Sequence, residues 1–284
     1  MSFSLKKEEI VVSGIKVNVF SNTNISEQGH PVAILFFLHG RQGSASDLDS
    51  LVSNIFEHIA SYGSSDTELL VDHRNHGTRL VDAIGNKDWK ENNEKHAIDM
   101  YAIQVGTASD VSTLIDFLPS YLFPNDERKI HEWLLSGISL GGHSTWIALK
   151  NDPRIRIGIP IIGCPDYLAL ICPRASDSGY PINPPYFPVA LVNYIKKKDP
   201  ASVNTTSLDS FENPYIGKRI LVLSGGVDKV VPWVASQNFV DKLQVGSSGI
   251  KKVVLEETAG HECTSLMIKE LAGFIWQHAL KKDP

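Results

Sequence analysis

A serine between two glycines, an aspartate and a histidine are the residues of this chain whose types and surroundings suit joint chemistry. The run Gly137-Ile138-Ser139-Leu140-Gly141 follows an apolar stretch and opens a helix-forming one. At such a junction a strand turns sharply into a helix, leaving the serine hydroxyl exposed on a strained turn. The flanking glycines let strand and helix approach where a side chain would block them. A hydroxyl is a poor nucleophile at neutral pH, so acyl transfer requires an imidazole to take its proton and a carboxylate to orient that imidazole. Both are available downstream. Asp228 stands in Leu223-Ser-Gly-Gly-Val-Asp-Lys-Val-Val-Pro232 and His261 in Thr258-Ala-Gly-His-Glu262, each just beyond an expected strand. Asp166, after the preceding strand, is the rival acid, and Asp228 is preferred. His39, His73 and His76 precede the serine and His143 lies in the helix just after it, so all four are read as structural or loop residues.

These residues need a frame, and the apolar pattern supplies one. Residues 32–38 are continuously apolar, as in a strand covered on both faces. Further strands are expected at 68–71, 132–138, 155–162, 218–223 and 251–255, with a hairpin over 9–20 split by Ser13-Gly14. Helical periodicity marks residues 48–59, 96–122 (with a bend allowed near Gly106), 139–150, 232–243 and 265–280. Strands alternating with helices indicate one α/β domain over 1–284: a mostly parallel, twisted sheet with helices on both faces and an antiparallel hairpin at its N-terminal edge. Residues 164–217 break the rhythm, holding eight of the fifteen prolines and many aromatics. That stretch is too long for an ordinary connection and too aromatic for a disordered linker, so it reads as an ordered, cap-like insertion over the strand ends.

Composition narrows the partners. A formal charge of −5 gives no general basic surface, so neither nucleic acid nor an anionic membrane is expected as a partner. Lys196-Lys197-Lys198 reads as a solvated turn. The longest apolar run is far too short to span a bilayer and no signal-like stretch opens the chain, which makes a cytoplasmic setting the expectation. On that setting the sequons at Asn24 and Asn204 are accidental, and three cysteines are too few for a disulfide framework. Without paired CxxC, His-Glu-x-x-His or P-loop runs, no metal or cofactor is expected.

Taken in order, His39-Gly40 after one strand, Asp72-x-Arg74-x-His76-Gly77 after the next, the pentapeptide at 137–141, Asp228 and Gly260-His261 resemble the α/β-hydrolases, a superfamily of serine esterases, lipases, thioesterases and peptidases. The resemblance covers residues 9–280. It implies the fold of that name, a nucleophile at Ser139 with Asp228 and His261 in the family's chain order, and an oxyanion hole made by the backbone N–H groups of Leu140 and Arg41. The chain departs from a full Gly-Gly-Gly oxyanion loop, reading Gly40-Arg-Gln-Gly43, which puts the second donor in question. Arg74, His76 and Gly77 are expected to brace their loop and Cys263 to be inert. The Arg41 side chain is left with two readings, a contact to a substrate carboxylate or a pairing with surface acids. The function implied is hydrolysis of carboxylic esters of small molecules through an acyl-enzyme. The alternatives are a peptidase similar to the prolyl-oligopeptidase catalytic domain and a non-catalytic binding protein on the same fold.

Overall fold

The computed structural model describes residues 5–22, 31–62 and 67–281. The Asn24 sequon and the first four residues lie outside them. Eight strands build the sheet: β1 (Leu5–Val12), β2 (Ile15–Asn22), β3 (Val32–Leu38), β4 (Thr67–Val71), β5 (Ile130–Ile138), β6 (Ile155–Ile161), β7 (Arg219–Gly225) and β8 (Ile250–Glu256). They lie in the order β1-β2-β4-β3-β5-β6-β7-β8. From β4 to β8 every neighbouring pair is parallel, whereas β1 pairs β2 and β2 pairs β4 antiparallel. The hairpin turns through Ser13 and Gly14, both at positive φ, the conformation that matches the twist of its strands. It extends to residues 5 and 22, beyond the limits read from sequence.

Alternation along β3 shows how the sheet acquires two cores. Ile34, Phe36 and Leu38 face one side, where they meet α2 (His96–Leu122), α3 (Leu140–Asn151) and α6 (Trp233–Lys242). Ala33, Leu35 and Phe37 face the other, against α1 (Asp49–Tyr62) and α7 (Ser265–Ile275). Each fully buried phenylalanine contributes about 1.5–3 kcal/mol relative to exposure, so a strand buried on both faces fixes the sheet's centre. Helix α2 is continuous through Gly106. A Cβ at that position would lie 2.5 Å from Cδ of Arg74, so the glycine admits a side chain from the neighbouring loop. No described helix is long and apolar enough to cross a membrane.

Residues 164–217 join β6 to β7 and carry α4 (Tyr167–Asp177) and α5 (Val189–Lys198). They are held by buried aromatic anchors. Tyr215 meets the fully buried Trp146 of α3 edge-on at 6.1 Å, and Tyr167 donates its hydroxyl to the Ala97 carbonyl at the start of α2, 2.7 Å away. Lys196-Lys197-Lys198 form the last helical turn of α5, not a loop turn. Their charge there complements the negative end of the helix dipole.

Candidate active site

At the end of β5, Ser139 takes φ 54° and ψ −108°, a conformation that costs a non-glycine residue about 1–3 kcal/mol and persists only where the surroundings impose it. Three main-chain bonds impose it here. Ser139 N–H donates to the Ile161 carbonyl (2.9 Å), Gly141 N–H to that of His39 (3.2 Å), and His143 N–H to that of Ser139 (3.0 Å). The two glycines are sterically required: a Cβ on Gly137 would lie 2.6 Å from Gly141, and one on Gly141 would lie 2.4 Å from the Leu38 carbonyl oxygen. Strand and helix therefore close on each other, and the half-buried hydroxyl is left at the turn.

Two loops bring the partners in. The loop after β7 buries Asp228, whose Oδ1 accepts the N–H groups of Val230 (2.7 Å) and Val231 (2.9 Å). The loop after β8 carries His261 and is tied to the first loop by bonds from Gly226 N–H to the Glu256 carbonyl and from Val227 N–H to that of Ala259. His261 Nδ1 donates to Asp228 Oδ2 at 2.7 Å, and its Nε2 lies 2.9 Å from Ser139 Oγ. A carboxylate only accepts, so the Nδ1 proton is fixed and Nε2 offers its lone pair to the hydroxyl. Burial by itself would raise the Asp228 pKa, but the hydrogen bond from His261 and the two amides bring it below the ordinary carboxylate value. The group is thus ionised at neutral pH. Such a chain of bonds can take a proton from the hydroxyl and stabilise the resulting imidazolium.

The rivals are elsewhere. Asp166 caps α4, its Oδ1 accepting the Ala169 N–H at 2.9 Å. His39 donates from Nδ1 to the Gly40 carbonyl and accepts the His73 N–H on Nε2, and His73 Nδ1 lies 3.0 Å from the Thr107 hydroxyl. His76 bonds the Arg74 carbonyl, and burial lowers the pKa of all three rings. His143 accepts the Cys164 N–H at 2.8 Å, and burial takes it to about 4. Arg74 makes a two-pronged bond to Asp110, bracing the loop after β4 against α2. Burial pushes the Cys263 thiol up to about 12, which removes its nucleophilic form at neutral pH.

Leu140 and Arg41 carry the two backbone amides expected to serve as oxyanion donors. Leu140 opens α3, so its N–H has no intrahelical partner and sits at the positive end of the dipole. Arg41 lies in a turn closed by Gly43 N–H on the Gly40 carbonyl (3.2 Å), with Gln42 at φ 64°. Among the described residues neither amide meets a protein acceptor.

Neither a family model nor a curated relative matches the sequence. Solved structures do match its shape. A protein from Thermus thermophilus, TT1662, superposes with a TM-score of 0.68 at 18% identity, covering 98% of this chain and 100% of that one. The esterase Pf2001 of Pyrococcus furiosus gives 0.56 at 17% identity over 97% and 93%. The acylaminoacyl peptidase of Pyrococcus horikoshii gives 0.63 at 13% identity over all of this chain and 43% of that one. The chain has the α/β-hydrolase fold.

Within that α/β-hydrolase frame, sequence reading missed the main-chain clamp on Asp228 and the contribution of α4. Arg174 of α4 donates to the Val230 carbonyl, reaching the loop that holds Asp228. No local signal carries this contact, because 56 residues separate the partners. The polar segment after β4 folds into short 3-10 turns that bury Trp89. An isolated tryptophan in a polar run was the available clue.

Proposed function

We propose that this protein is a serine hydrolase that cleaves carboxylic esters of small molecules through an acyl-enzyme. Ser139 is the nucleophile, His261 accepts its proton and later returns one to the leaving alcohol, and Asp228 holds the imidazole in the productive tautomer. The observation that carries this reading is the continuous bonding from Ser139 Oγ through His261 to Asp228, at 2.9 and 2.7 Å, on a serine held at positive φ. The amides of Leu140 and Arg41 are assigned to the developing oxyanion, and each such donor contributes about 3–4 kcal/mol to transition-state stabilisation. Residues 164–217 are read as a cap whose aromatic residues wall the site, in keeping with the mostly apolar lining of small-molecule pockets. Ser139→Ala is the direct test. Loss of p-nitrophenyl acetate hydrolysis, together with loss of labelling by a fluorophosphonate, is expected; undiminished hydrolysis overturns the reading.

The likeness to the Pyrococcus horikoshii peptidase favours a second reading, cleavage of acylated amino acids or peptides by the same residues. Faster turnover of aminoacyl-arylamides than of the matching esters selects it.

A further inference from the structure

A cavity of about 330 Å³ opens beside Arg41, with an uneven balance of charge around it. Arg41, Lys90, Arg174 and Lys229 border it against a single carboxylate, Asp88. That carboxylate already caps a 3-10 turn, with Oδ1 accepting the Glu91 N–H at 3.0 Å. The two arginines contrast with Arg74, Arg79, Arg154 and Arg156, each of which pairs with an acid. Arg41 donates to the Asn86 carbonyl and Arg174 to the Val230 carbonyl, and among the described residues neither forms an ion pair. Both are partly buried. Burial and, with it, the Arg41 charge lower the Arg174 pKa, so the two guanidinium groups work against each other. Four converging cations set against one bordering carboxylate are unfavourable until a further anion joins them.

Two neutral groups lining the same cavity are also incomplete. Trp89 is 4% exposed and His96 1% exposed, yet Trp89 Nε1 and His96 Nε2 meet no partner among the described residues. His96 Nδ1 donates to the Lys87 carbonyl at 2.8 Å, so Nε2 is an acceptor, and burial brings the ring to about 4, keeping it neutral. Guanidinium and indole N–H groups suit the oxygens of an anion, and His96 Nε2 suits a hydroxyl beside it.

The cavity belongs to the reactive end of the molecule. Arg41 follows Gly40, where a Cβ would lie 3.9 Å from Ser139 Cβ, and Val230, on the opposite border, gives its amide to Asp228. We propose that this cavity binds an ionised acidic group of the substrate, so that the preferred ester carries a carboxylate or phosphate in addition to the bond that is cut. The inference rests on the hydrolase reading of Ser139 for its catalytic half; anion binding itself does not require turnover.

The test has both arms. Hydrolysis of mono-p-nitrophenyl adipate is compared with that of p-nitrophenyl hexanoate, and of 4-carboxyphenyl acetate and 4-(phosphonooxy)phenyl acetate with the methyl ester of the former, to place the acid on the acyl or alcohol side and to separate carboxylate from phosphate. At least one anionic ester is expected to exceed its neutral counterpart by about tenfold in kcat/KM, expressed mainly in KM, as for a charge-assisted hydrogen bond. In Arg174→Gln that ratio should collapse, and in Arg174→Lys, which keeps the charge, it should be partly restored. Separately, Ser139→Ala protein is titrated calorimetrically with inorganic phosphate and with succinate, and Arg174→Gln on that background should abolish the binding. Hydrolysis of neutral esters without any anionic preference, and no binding of either anion, overturns the proposal and leaves the hydrolase reading standing. Binding without turnover of any ester upholds the anion site and removes the hydrolase reading.

Discussion

Replacing Asp228 by asparagine isolates the tautomer argument at almost constant shape. The carboxylate accepts three hydrogen bonds, from His261 Nδ1, Val230 N–H and Val231 N–H. An asparagine that keeps its oxygen on the two amides turns its NH2 group toward His261. An NH2 only donates, so Nδ1 must become the acceptor and the ring proton moves to Nε2, facing Ser139 Oγ. The serine then has no base. The opposite flip preserves the useful tautomer but sets an NH2 against the buried Val231 N–H and the part-buried Val230 N–H, at about 1–3 kcal/mol for a buried unsatisfied donor, and is therefore the minor state. The expected consequence is a fall in kcat of about 10⁴, equivalent to about 5.5 kcal/mol of barrier. Steady-state hydrolysis of p-nitrophenyl acetate measures it, with thermal unfolding followed in parallel to show that the fold persists. A kcat within about tenfold of the parent protein would refute the reasoning, because the imidazole would then be oriented by something other than Asp228.

Two further perturbations probe the frame around that centre. Gly141→Ala sets a Cβ 2.4 Å from the Leu38 carbonyl oxygen, a backbone atom that cannot rotate away. It should cost about 1–3 kcal/mol in denaturant unfolding and lower kcat more than it raises KM, since α3 carries the Leu140 amide; unchanged stability and activity would mean that β3 and α3 are not in rigid contact. Asp199, 4% exposed, is raised from 3.8 to about 7, chiefly by burial. Its folded pKa lies above its unfolded one, so its contribution to stability is complete below pH 4 and is lost as pH rises to about 7. At about 1.4 kcal/mol per pH unit, Asp199→Asn should gain about 2–3 kcal/mol over the parent between pH 5 and 7.5. Chemical denaturation at the two pH values checks this, and parallel curves for the two proteins would contradict it.

Much of this architecture was legible because its signals are local. An uninterrupted apolar run has few options other than a doubly covered strand, which is why β3 could be placed from residues 32–38 alone. The elbow was legible for a similar reason: Gly137 answers a steric demand set by Gly141, four positions on, although the demand on Gly141 itself comes from the Leu38 carbonyl of β3. The choice between Asp166 and Asp228 was harder, since both follow strands. It turns on which carboxylate meets His261, and Asp166 instead caps its own helix. Least legible was the cavity beside Arg41. Its border combines the turn after β3, the 3-10 turns before α2, helix α4 and the loop after β7, segments that come together only when the sheet and insertion have folded. The lysine run at 196–198 shows the converse limit. Charge alone did not distinguish a solvated turn from the end of a helix, because both keep lysines in water.

The strained serine and the unpaired arginines have a common physical logic. Ser139 at positive φ is maintained by bonds from β6 and the His39 loop, and α3 behind it is anchored by Trp146 packed edge-on to Tyr215 and Phe239 at 6.1 and 5.4 Å. The insertion that supplies Tyr215 also supplies Arg174. The insertion that packs behind the elbow therefore also lends a residue to one wall of the cationic cavity. A substrate anion drawn to Arg41 and Arg174 would bridge the turn that carries one proposed oxyanion donor and helix α4 of the insertion. Its binding would then hold the ester against Ser139, a use of binding energy remote from the scissile bond that appears mainly in KM.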